Sequence, residues 1–280
     1  MCGRVIQSSG PLRYGIVEGM DMRDSRTHNY PPKWNAAPSL LVIRRNHETG
    51  QVSLDPLRRG LIPYWCRDPK GGRKPINAKS ETVHSLPTFR HGYRRRRCII
   101  PVDGFFEWKA IKGQKAKQPY AIAMKDSPFG IGGLWENWKD PTSGEWIRTF
   151  AVITTDANEL VAEIHDRMPL ILAPRDYARW LSDEPDPRDL IRPSPAEPMR
   201  MWPISTRVNK PETTIPPSSN QSSWPLQLRS PTDVPKPAKP NNHRSGCRRP
   251  GEFEEVLDHC HFGSNSHLYH YAHSSHGCRI

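Results

Sequence analysis

The chain has 280 residues, a formal net charge of +12 and a hydrophobic content of only 35%, with 30 prolines and 19 glycines. This length allows one or two domains with a sizeable core. The positive charge favours an anionic partner, with nucleic acid ahead of a membrane surface or an acidic small molecule. The sequence contains neither an apolar run of about eighteen residues nor a basic-then-apolar leader. We therefore expect a cytoplasmic protein without a membrane partner, nucleoid-associated if it is bacterial.

The first third of the chain predicts short strands separated by turns. Residues 3–7 are strand-like, and residues 40–43 are expected to pair with residues 51–54 in a hairpin. A polar start followed by apolar positions predicts a helix over residues 80–89. The four arginines at positions 94–97 are interpreted as a solvated face, with direct contact to nucleic acid as the alternative.

The centre of the chain is richer in strands. Residues 98–102 and 104–108 are strand-like runs on either side of a tight Asp103-Gly104 corner. Further strands are predicted over residues 119–124, 130–135, 150–154, 169–172 and 201–205, and short helices over residues 157–164, capped by Asp156, and 174–181. The sequence shows no βαβ rhythm and no internal repeat. It therefore predicts an α+β fold with a single domain around a curved, barrel-like, mostly antiparallel β-sheet with short flanking helices.

The composition changes after residue 210. Residues 211–280 carry 7 Lys+Arg and 6 Asp+Glu, so +11 of the net charge belongs to residues 1–210. Residues 211–250 are rich in Pro, Ser and Asn and have no periodicity, and histidines are frequent in the last thirty or so residues. We predict a basic folded domain over residues 1–210, which contains the candidate catalytic and nucleic-acid-binding residues considered below, and a low-complexity, disordered tail over residues 211–280.

The six cysteines predict free thiols rather than a disulfide framework, because they are widely spaced and include no CxxC pair. A zinc module built from the cysteines and histidines of the tail is an alternative, but the paired ligand spacing of such modules is missing. We expect no metal and no cofactor.

Cys2 has a chemistry that no internal cysteine has. Removal of Met1 would leave an α-amine and a thiol on adjacent carbons of Cys2. An α-amine titrates near ~7.7–8, against ~10.4 for lysine, so a sizeable fraction is unprotonated at neutral pH. That amine can attack an aldehyde, and the thiol can then close a five-membered thiazolidine ring on the same carbon. The alternative interpretation is a small apolar residue that opens a strand.

Four polar residues lie in otherwise apolar, strand-like surroundings: Asn77, Glu107, Thr154 and His165. A carboxylate between Phe106 and Trp108 is costly unless it is partnered or functional. Alternation predicts that Glu107 faces away from both aromatic neighbours. Each residue also has a structural interpretation, an exposed glutamate or a hydrogen-bonded histidine among them, so the four are weak evidence individually.

Taken in order, several sequence blocks resemble the SOS response-associated peptidase (SRAP) family over roughly residues 2–209. The blocks are Cys2-Gly3-Arg4, Asn35-Ala36-Ala37-Pro38, Gly60-Leu61-Ile62-Pro63, Ile76-Asn77-Ala78-Lys79-Ser80-Glu81-Thr82, Arg97-Cys98, Pro101-Val102-Asp103-Gly104-Phe105-Phe106-Glu107-Trp108 and Ile164-His165-Asp166-Arg167-Met168-Pro169. The last two are the most specific. The resemblance implies a protein that binds single-stranded DNA and forms a covalent DNA–protein crosslink with abasic sites.

The resemblance also implies roles for individual residues. Cys2 is the nucleophile, Asn77 holds its amine, Glu107 is a general acid/base, and His165 is a second acid/base or a hydrogen-bond donor near the sugar. The resemblance places Arg4, Lys79 and Arg167 where the family contacts phosphates. Trp65, in a loop-like position, is predicted to stack on bases, with a place in the core as the alternative. Thr154 is a further predicted DNA-binding residue. We expect Schiff-base lyase chemistry, an autoproteolytic peptidase activity limited to Met1, and a monomer.

The tail departs from the resemblance. After residue 210 the family commonly continues through an acidic Asn-Asp-Asp-Pro-Ser-like segment, whereas this chain has Thr213-Thr214-Ile215-Pro216. Loss of one adenine from codons for Glu-Asn-Asp-Asp-Pro gives Glu-Thr-Thr-Ile-Pro. We hypothesise that residues 213–280 are translated out of the ancestral frame. Resequencing the gene tests this hypothesis, and an adjacent frame that encodes no family-like end would contradict it.

Two other functions remain open from sequence. One is a cysteine-type peptidase or amidohydrolase that uses Cys2. The other is a non-covalent single-stranded DNA-binding protein whose polar residues are vestigial.

Overall fold

The computed structural model describes residues 3–18, 20, 33–35, 38–68, 74–126 and 128–209. Its strands are β1 (Arg4–Gln7), β2 (Lys33–Asn35), β3 (Ser39–Arg45), β4 (Val52–Arg59), β5 (Asn77–Lys79), β6 (Arg97–Val102), β7 (Gly104–Lys109), β8 (Gln118–Met124), β9 (Phe129–Lys139), β10 (Trp146–Asp156), β11 (Arg167–Pro169), β12 (Ile171–Leu172) and β13 (Met199–Pro203). Its α-helices are α1 (Arg90–Arg95), α2 (Glu159–Ala162) and α3 (Tyr177–Leu181), and 3-10 turns cover Pro11–Tyr14, Pro174–Asp176, Arg188–Leu190 and Thr206–Asn209.

The strands form two sheets. The smaller sheet has the order β13-β8-β7-β1-β2, and all its pairings are antiparallel. The larger sheet follows β11-β10-β4-β3-β6-β9-β12, with β5 alongside β10. Because β10 also pairs with β9, strands β10, β4, β3, β6 and β9 close on themselves as a barrel. The pairings of β10 with β4 and β5 are parallel and the rest are antiparallel. The predicted barrel-like, mostly antiparallel α+β fold is confirmed.

The barrel strands are apolar on both faces, as strands covered on both sides must be. On β3, Leu40 and Val42 belong to one cluster of buried side chains, and Leu41 and Ile43 belong to another. The first cluster also contains Val5, Phe105 and Ile122 from the smaller sheet. The second contains helix residues, Tyr93, Tyr177, Trp180 and Leu181 among them. A third, smaller cluster covers the opposite face of the smaller sheet around Ile6, Phe106 and Val208.

The corner between β6 and β7 is held by a buried carboxylate. Asp103 accepts hydrogen bonds from the backbone N–H groups of Ser8 (2.7 Å) and Ser9 (3.0 Å), from both of their hydroxyls, and from the Tyr14 hydroxyl (2.7 Å). The Asp103 backbone N–H also donates to the carbonyl of Ile6 at 2.9 Å. This network fastens the segment after β1 to the corner that begins β7, so the two strands are held at a defined register.

Two predicted helices differ from the observed ones. Residues 80–89 form successive turns, and the helix begins only at Arg90, because Pro87 has no N–H to continue a hydrogen-bonded ladder. The helix predicted over residues 157–164 is limited to Glu159–Ala162. Its cap is Asn158, whose side chain accepts a hydrogen bond from the Val161 N–H, whereas Asp156 is still part of β10.

Within the described ranges, none of the helices has the length and apolarity needed to traverse a bilayer. The predicted tail, residues 211–280, lies outside the described residues, and so do Lys210 and the tail cysteines of the alternative zinc module. The domain boundary at residue 210 therefore stays a prediction.

Candidate active site

Three neighbouring strands bring four of the predicted site residues together. β5 runs parallel to β10, with Asn77 opposite Val152 and Lys79 opposite Thr154. On the other side of β10, Asp156 lies opposite Arg167 at the start of β11. Asn77 and Lys79 on β5, Thr154 on β10 and Arg167 on β11 thus lie within one short stretch of the sheet.

Alternation along these strands decides which way the side chains point. Ala78 belongs to the second cluster and Val152 to the first. Asn77 and Lys79 therefore face the side of the first cluster, as does Thr154, two residues beyond Val152. Thr154 is completely buried, Asn77 is half-buried and Lys79 is exposed. The Thr154 hydroxyl lies 3.4 Å from the Ala78 carbonyl oxygen, a long contact that keeps it beside β5.

Glu107 approaches the same cluster from the smaller sheet. Phe106 and Trp108 pack in or against the third cluster, whereas Phe105 lies in the first, so Glu107 shares the face of Phe105, as alternation predicts. Its side chain is almost fully buried, with 2% exposed. Burial raises the pKa of Glu107 to about 7, against the opposing influence of the nearby Lys117 charge. Glu107 is therefore a carboxyl group poised to give or take a proton near neutral pH.

His165 comes directly after α2, and the preceding Ile164 packs against the first cluster. The Arg167 backbone N–H donates to His165 Nδ1 at 2.9 Å, although Nδ1 also lies 2.8 Å from an Asp166 carboxylate oxygen. The two contacts require opposite protonation of Nδ1. Burial lowers the pKa of His165, and the Asp166 side chain is 86% exposed, so its attraction is screened. We therefore assign the neutral ring, with Nδ1 as acceptor and the proton on Nε2.

Lys117 is a charged neighbour that the sequence did not single out. It precedes β8, and its positive charge lowers the pKa of both Glu107 and His165. One exposed cation therefore lies close enough to influence both candidate acid/base groups. The loop before β8 contains several lysines, and no spacing pattern distinguishes this one from the others.

Arg167 is engaged by its own protein. Its guanidinium forms an ion pair with Glu81 and donates to Asp156 at 2.7 Å and to the Thr154 carbonyl at 2.7 Å. The hydrogen bond from Arg167 lowers the pKa of Glu81 to about 2. These contacts join β10, β11 and the turn after β5. In this structure the contacts of Arg167 hold together the strands that carry Asn77, Lys79 and Thr154.

Arg4 lies on the opposite face of the smaller sheet. Its guanidinium carbon is 4.6 Å from the centroid of the Trp108 ring, and its Nη1 donates to the Val208 carbonyl at 2.9 Å. Val5, the next residue, faces the first cluster instead. Arg4 therefore lies on the side of the smaller sheet that faces away from the first cluster, whereas Glu107, Asn77 and Thr154 are on the side of that cluster.

Trp65 is in the segment between β4 and β5, where it and its neighbour Tyr64 are each 53% exposed. The loop is anchored below them, because the Trp138 indole N–H donates to the Cys66 carbonyl at 2.6 Å. Two exposed aromatic rings on an anchored loop offer a stacking surface.

Cys2 and Met1 lie outside the described residues. The described chain begins at Gly3 and enters β1, where Arg4 is opposite Phe106 and Val5 is opposite Phe105. The start of β1 is therefore beside the stretch of β7 that carries Glu107. In the part of the chain that the structure describes, no group of His, Cys, Asp and Glu is arranged to hold a metal ion.

The chain is similar to several known proteins. Abasic site processing protein YoqW of Bacillus subtilis (strain 168) is 40% identical over 192 residues, which cover 67% of this chain and 85% of that protein. Abasic site processing protein HMCES of Xenopus tropicalis is 29% identical over 259 residues, which cover 77% of each chain.

Solved structures and a family profile agree with these relatives. A crystal structure of a protein from Bacteroides thetaiotaomicron matches with a TM-score of 0.66 at 28% identity, covering 75% of this chain and 95% of that one. A phage-related protein from Bordetella bronchiseptica matches with a TM-score of 0.57 at 26% identity, covering 72% and 94%. The profile described as SOS response associated peptidase (SRAP) matches residues 1–211. The chain belongs to the SOS response associated peptidase (SRAP) family.

Proposed function

We propose that this chain processes abasic sites in single-stranded DNA, and that it does so by forming a covalent crosslink through Cys2 once Met1 has been removed. The observation that carries the proposal is Glu107, a buried carboxyl group whose pKa is about 7, next to the strand that begins just after Cys2. The abasic site processing names of the relatives support the same substrate.

The proposed chemistry needs no cofactor. An abasic deoxyribose is in equilibrium with its ring-opened aldehyde. The α-amine of Cys2 adds to the aldehyde carbon to give a carbinolamine, which loses water to become a Schiff base. The thiol of Cys2 then adds to the same carbon, and its proton passes to the nitrogen, which closes a thiazolidine. One water is released overall, and nothing is oxidised or reduced.

Glu107 is proposed as the general acid/base in these steps. With a pKa of about 7, comparable fractions of the group are protonated and ionised near neutral pH. The protonated form can deliver a proton to the departing hydroxyl of the carbinolamine, and the carboxylate can accept one during sugar ring opening. In reversal of the crosslink, Glu107 would accept the protons that it donates during formation and donate those that it accepts.

His165 and Asn77 are proposed to orient the reactants. His165 accepts the Arg167 N–H at Nδ1, and we propose that its Nε2–H donates to a sugar oxygen when DNA is bound. We propose that Asn77 holds the Cys2 amine; Asn77 lies opposite Val152 and shares the face of β5 and β10 on which Thr154 lies. The buried Thr154 hydroxyl would contact the DNA or the sugar.

The DNA contacts are proposed from charge and exposure. Lys79 is exposed on β5 and suits a phosphate, and Trp65 suits a base next to the abasic site. Arg4 donates one N–H to the Val208 carbonyl, and a guanidinium has five donors, so a phosphate contact is proposed as an addition to that role. The four Nη hydrogens of Arg167 are directed at Glu81, Asp156 and the Thr154 carbonyl, and its Nε is buried. A phosphate contact by Arg167 is therefore proposed to replace one of its contacts with Glu81 or Asp156.

The test uses single-stranded oligonucleotides with and without an abasic site, followed by denaturing electrophoresis. A protein–DNA band that survives denaturation, requires the abasic site and disappears in Cys2→Ala is the expected result. Cys98→Ala is the matched control, because that thiol is fully buried, so the variant should leave the band in place. Intact mass of the purified protein checks that Met1 is absent.

Other outcomes of this experiment favour the other functions. Peptide cleavage without any crosslink would favour a peptidase or amidohydrolase, and salt-sensitive binding without a crosslink would favour a non-covalent single-stranded DNA-binding protein. Strand scission after crosslinking would add the lyase activity. Retention of Met1 in a Glu107→Gln variant would support autoproteolytic removal. Sedimentation would test the proposed monomer.

A further inference from the structure

The arginine run at residues 94–97 divides into two structural arginines and two surface arginines. Arg97 is buried and donates to the carbonyls of Tyr93, Trp180 and Ser182 at 2.6–2.7 Å. Arg96 donates to Glu136 at 2.6 Å. Arg94 and Arg95 are exposed on α1 and form no ion pair with any residue that the structure describes. The run is therefore only partly the solvated face expected from sequence.

The inner side of α1 is packed against the protein. Gly92 and Tyr93 are the buried residues of this helix, and the Tyr93 hydroxyl donates to Asp186 at 2.6 Å. Glu136, the buried carboxylate beneath α1, lies 2.6 Å from Arg96 and 2.8 Å from His91. The Glu136 carboxylate is thus paired with Arg96 and His91. It does not neutralise the exposed arginines on the outer side of α1.

The exposed aromatic loop lies against this helix. The ring centroid of Tyr64 is 4.7 Å from that of His91, with the planes tilted by 53°. His91 and Arg95 are four residues apart on α1, as are Arg90 and Arg94, so each pair shares a side of the helix. The Tyr64 ring, which is followed in the chain by the exposed Trp65, therefore lies against the side of α1 that carries His91 and Arg95.

We propose that Trp65, Tyr64 and the exposed face of α1 (Arg90, Arg94 and Arg95) form a track that binds the single-stranded nucleic acid flanking the active site. Exposed rings that stack on bases, followed by cations that pair with phosphates, are the combination used for single strands without sequence preference. The proposal rests on the proposed function for its ligand, and it extends the DNA contact beyond the abasic nucleotide to one flank of the strand.

The test measures non-covalent binding, so that it is independent of crosslinking. The probes are oligonucleotides with a central tetrahydrofuran, an abasic analogue that has no aldehyde, and with two or ten nucleotides on either flank. Fluorescence anisotropy at several salt concentrations gives the affinity and its salt dependence for the full chain. The variant is Arg94→Ala/Arg95→Ala. The control is Lys125→Ala/Arg200→Ala, which removes two exposed charges from the far end of the smaller sheet.

The α1 variant is expected to bind the probe with one long flank more weakly than the wild type does. Its slope of log affinity against log salt should be smaller by about 1.4, from two phosphate contacts at about 0.7 each. The probe with both flanks short should bind both proteins alike. Arg90→Gln, on the same face of α1, should reproduce half of the slope change, and thermal melting confirms that the variants are folded.

The proposal would be overturned if the α1 variant and the control lost affinity for the oligonucleotides equally, or if the loss of affinity did not depend on flank length. Either result would mean that the arginines contribute only to the general electrostatic attraction of the protein for DNA. An unchanged slope in the α1 variant would overturn it as well. These failures differ from failure of the proposed function, which would show as absence of a crosslink between the wild type and true abasic DNA, even on the short probe.

Discussion

Glu107→Gln tests the central physical claim about the site, which is that a buried carboxyl group is maintained at a cost to stability. The pKa of Glu107 is raised from an ordinary value of 4.5 to about 7 by burial. Since the folded state holds this proton more tightly than the unfolded state, the free energy of unfolding falls as pH rises between these two values. At about 1.36 kcal/mol per pKa unit, the loss above pH 7 is about 3 kcal/mol.

Glutamine has nearly the same shape and no charge to desolvate. The variant is therefore expected to match the wild type in free energy of unfolding near pH 4.5, apart from a constant offset, and to gain on it by up to about 3 kcal/mol by pH 8. Urea unfolding at pH 4.5, 6, 7 and 8 gives the difference. Glu145→Gln, at an exposed position, should show no such trend. A difference between Glu107→Gln and wild type that does not change with pH would refute the reasoning.

The same substitution should slow crosslinking by about 10²–10⁴-fold, the usual contribution of a general acid/base. Gly133→Ala should destabilise the barrel by about 1–3 kcal/mol or more, because an added Cβ would lie 2.7 Å from the Ala151 carbonyl oxygen; Gly92→Ala, whose Cβ would meet its nearest neighbour at 3.4 Å, is the control, and equal thermal midpoints would contradict the packing described. Asp103→Ala should lower the free energy of unfolding by about 2–4 kcal/mol, because it leaves the buried Tyr14 hydroxyl and the Ser8 N–H without this acceptor and the Ser9 N–H with only the Tyr14 oxygen. A loss below about 1 kcal/mol in urea unfolding would show that water replaces the carboxylate there.

The sequence was sufficient for the elements whose signal is local. Alternation along the strand predicts that Glu107 lies on one face of β7 and that Phe106 and Trp108 lie on the other. The clusters to which Phe105, Phe106 and Trp108 belong confirm this prediction. The hairpin of β3 and β4 and the Asp103-Gly104 corner follow from short-range pattern and turn chemistry, and both are observed. The ordered motifs led to the family, which the profile match over residues 1–211 confirms.

Tertiary structure alone decided the roles that depend on distant partners. Arg94 and Arg97 are three residues apart in one basic run, yet one is exposed and the other is buried against carbonyls from another element. Arg167 finds Glu81 and Asp156 only because β5 and β11 flank β10. Lys117 reaches the surroundings of Glu107 and His165 from a loop with no distinguishing pattern.

The physical reason is the range over which each property is determined. Which face of a strand a side chain occupies depends on its immediate neighbours, so a sequence contains that information. The partner of a charge depends on register between strands that are far apart in the chain, and a shift of one residue would move every side chain to the other face. The sequence by itself therefore determined the strand pattern, the family and the candidate acid/base residues. The tertiary structure decided which of the surrounding cations are engaged within the protein, as Arg97 and Arg167 are, and which are exposed, as Arg94 is.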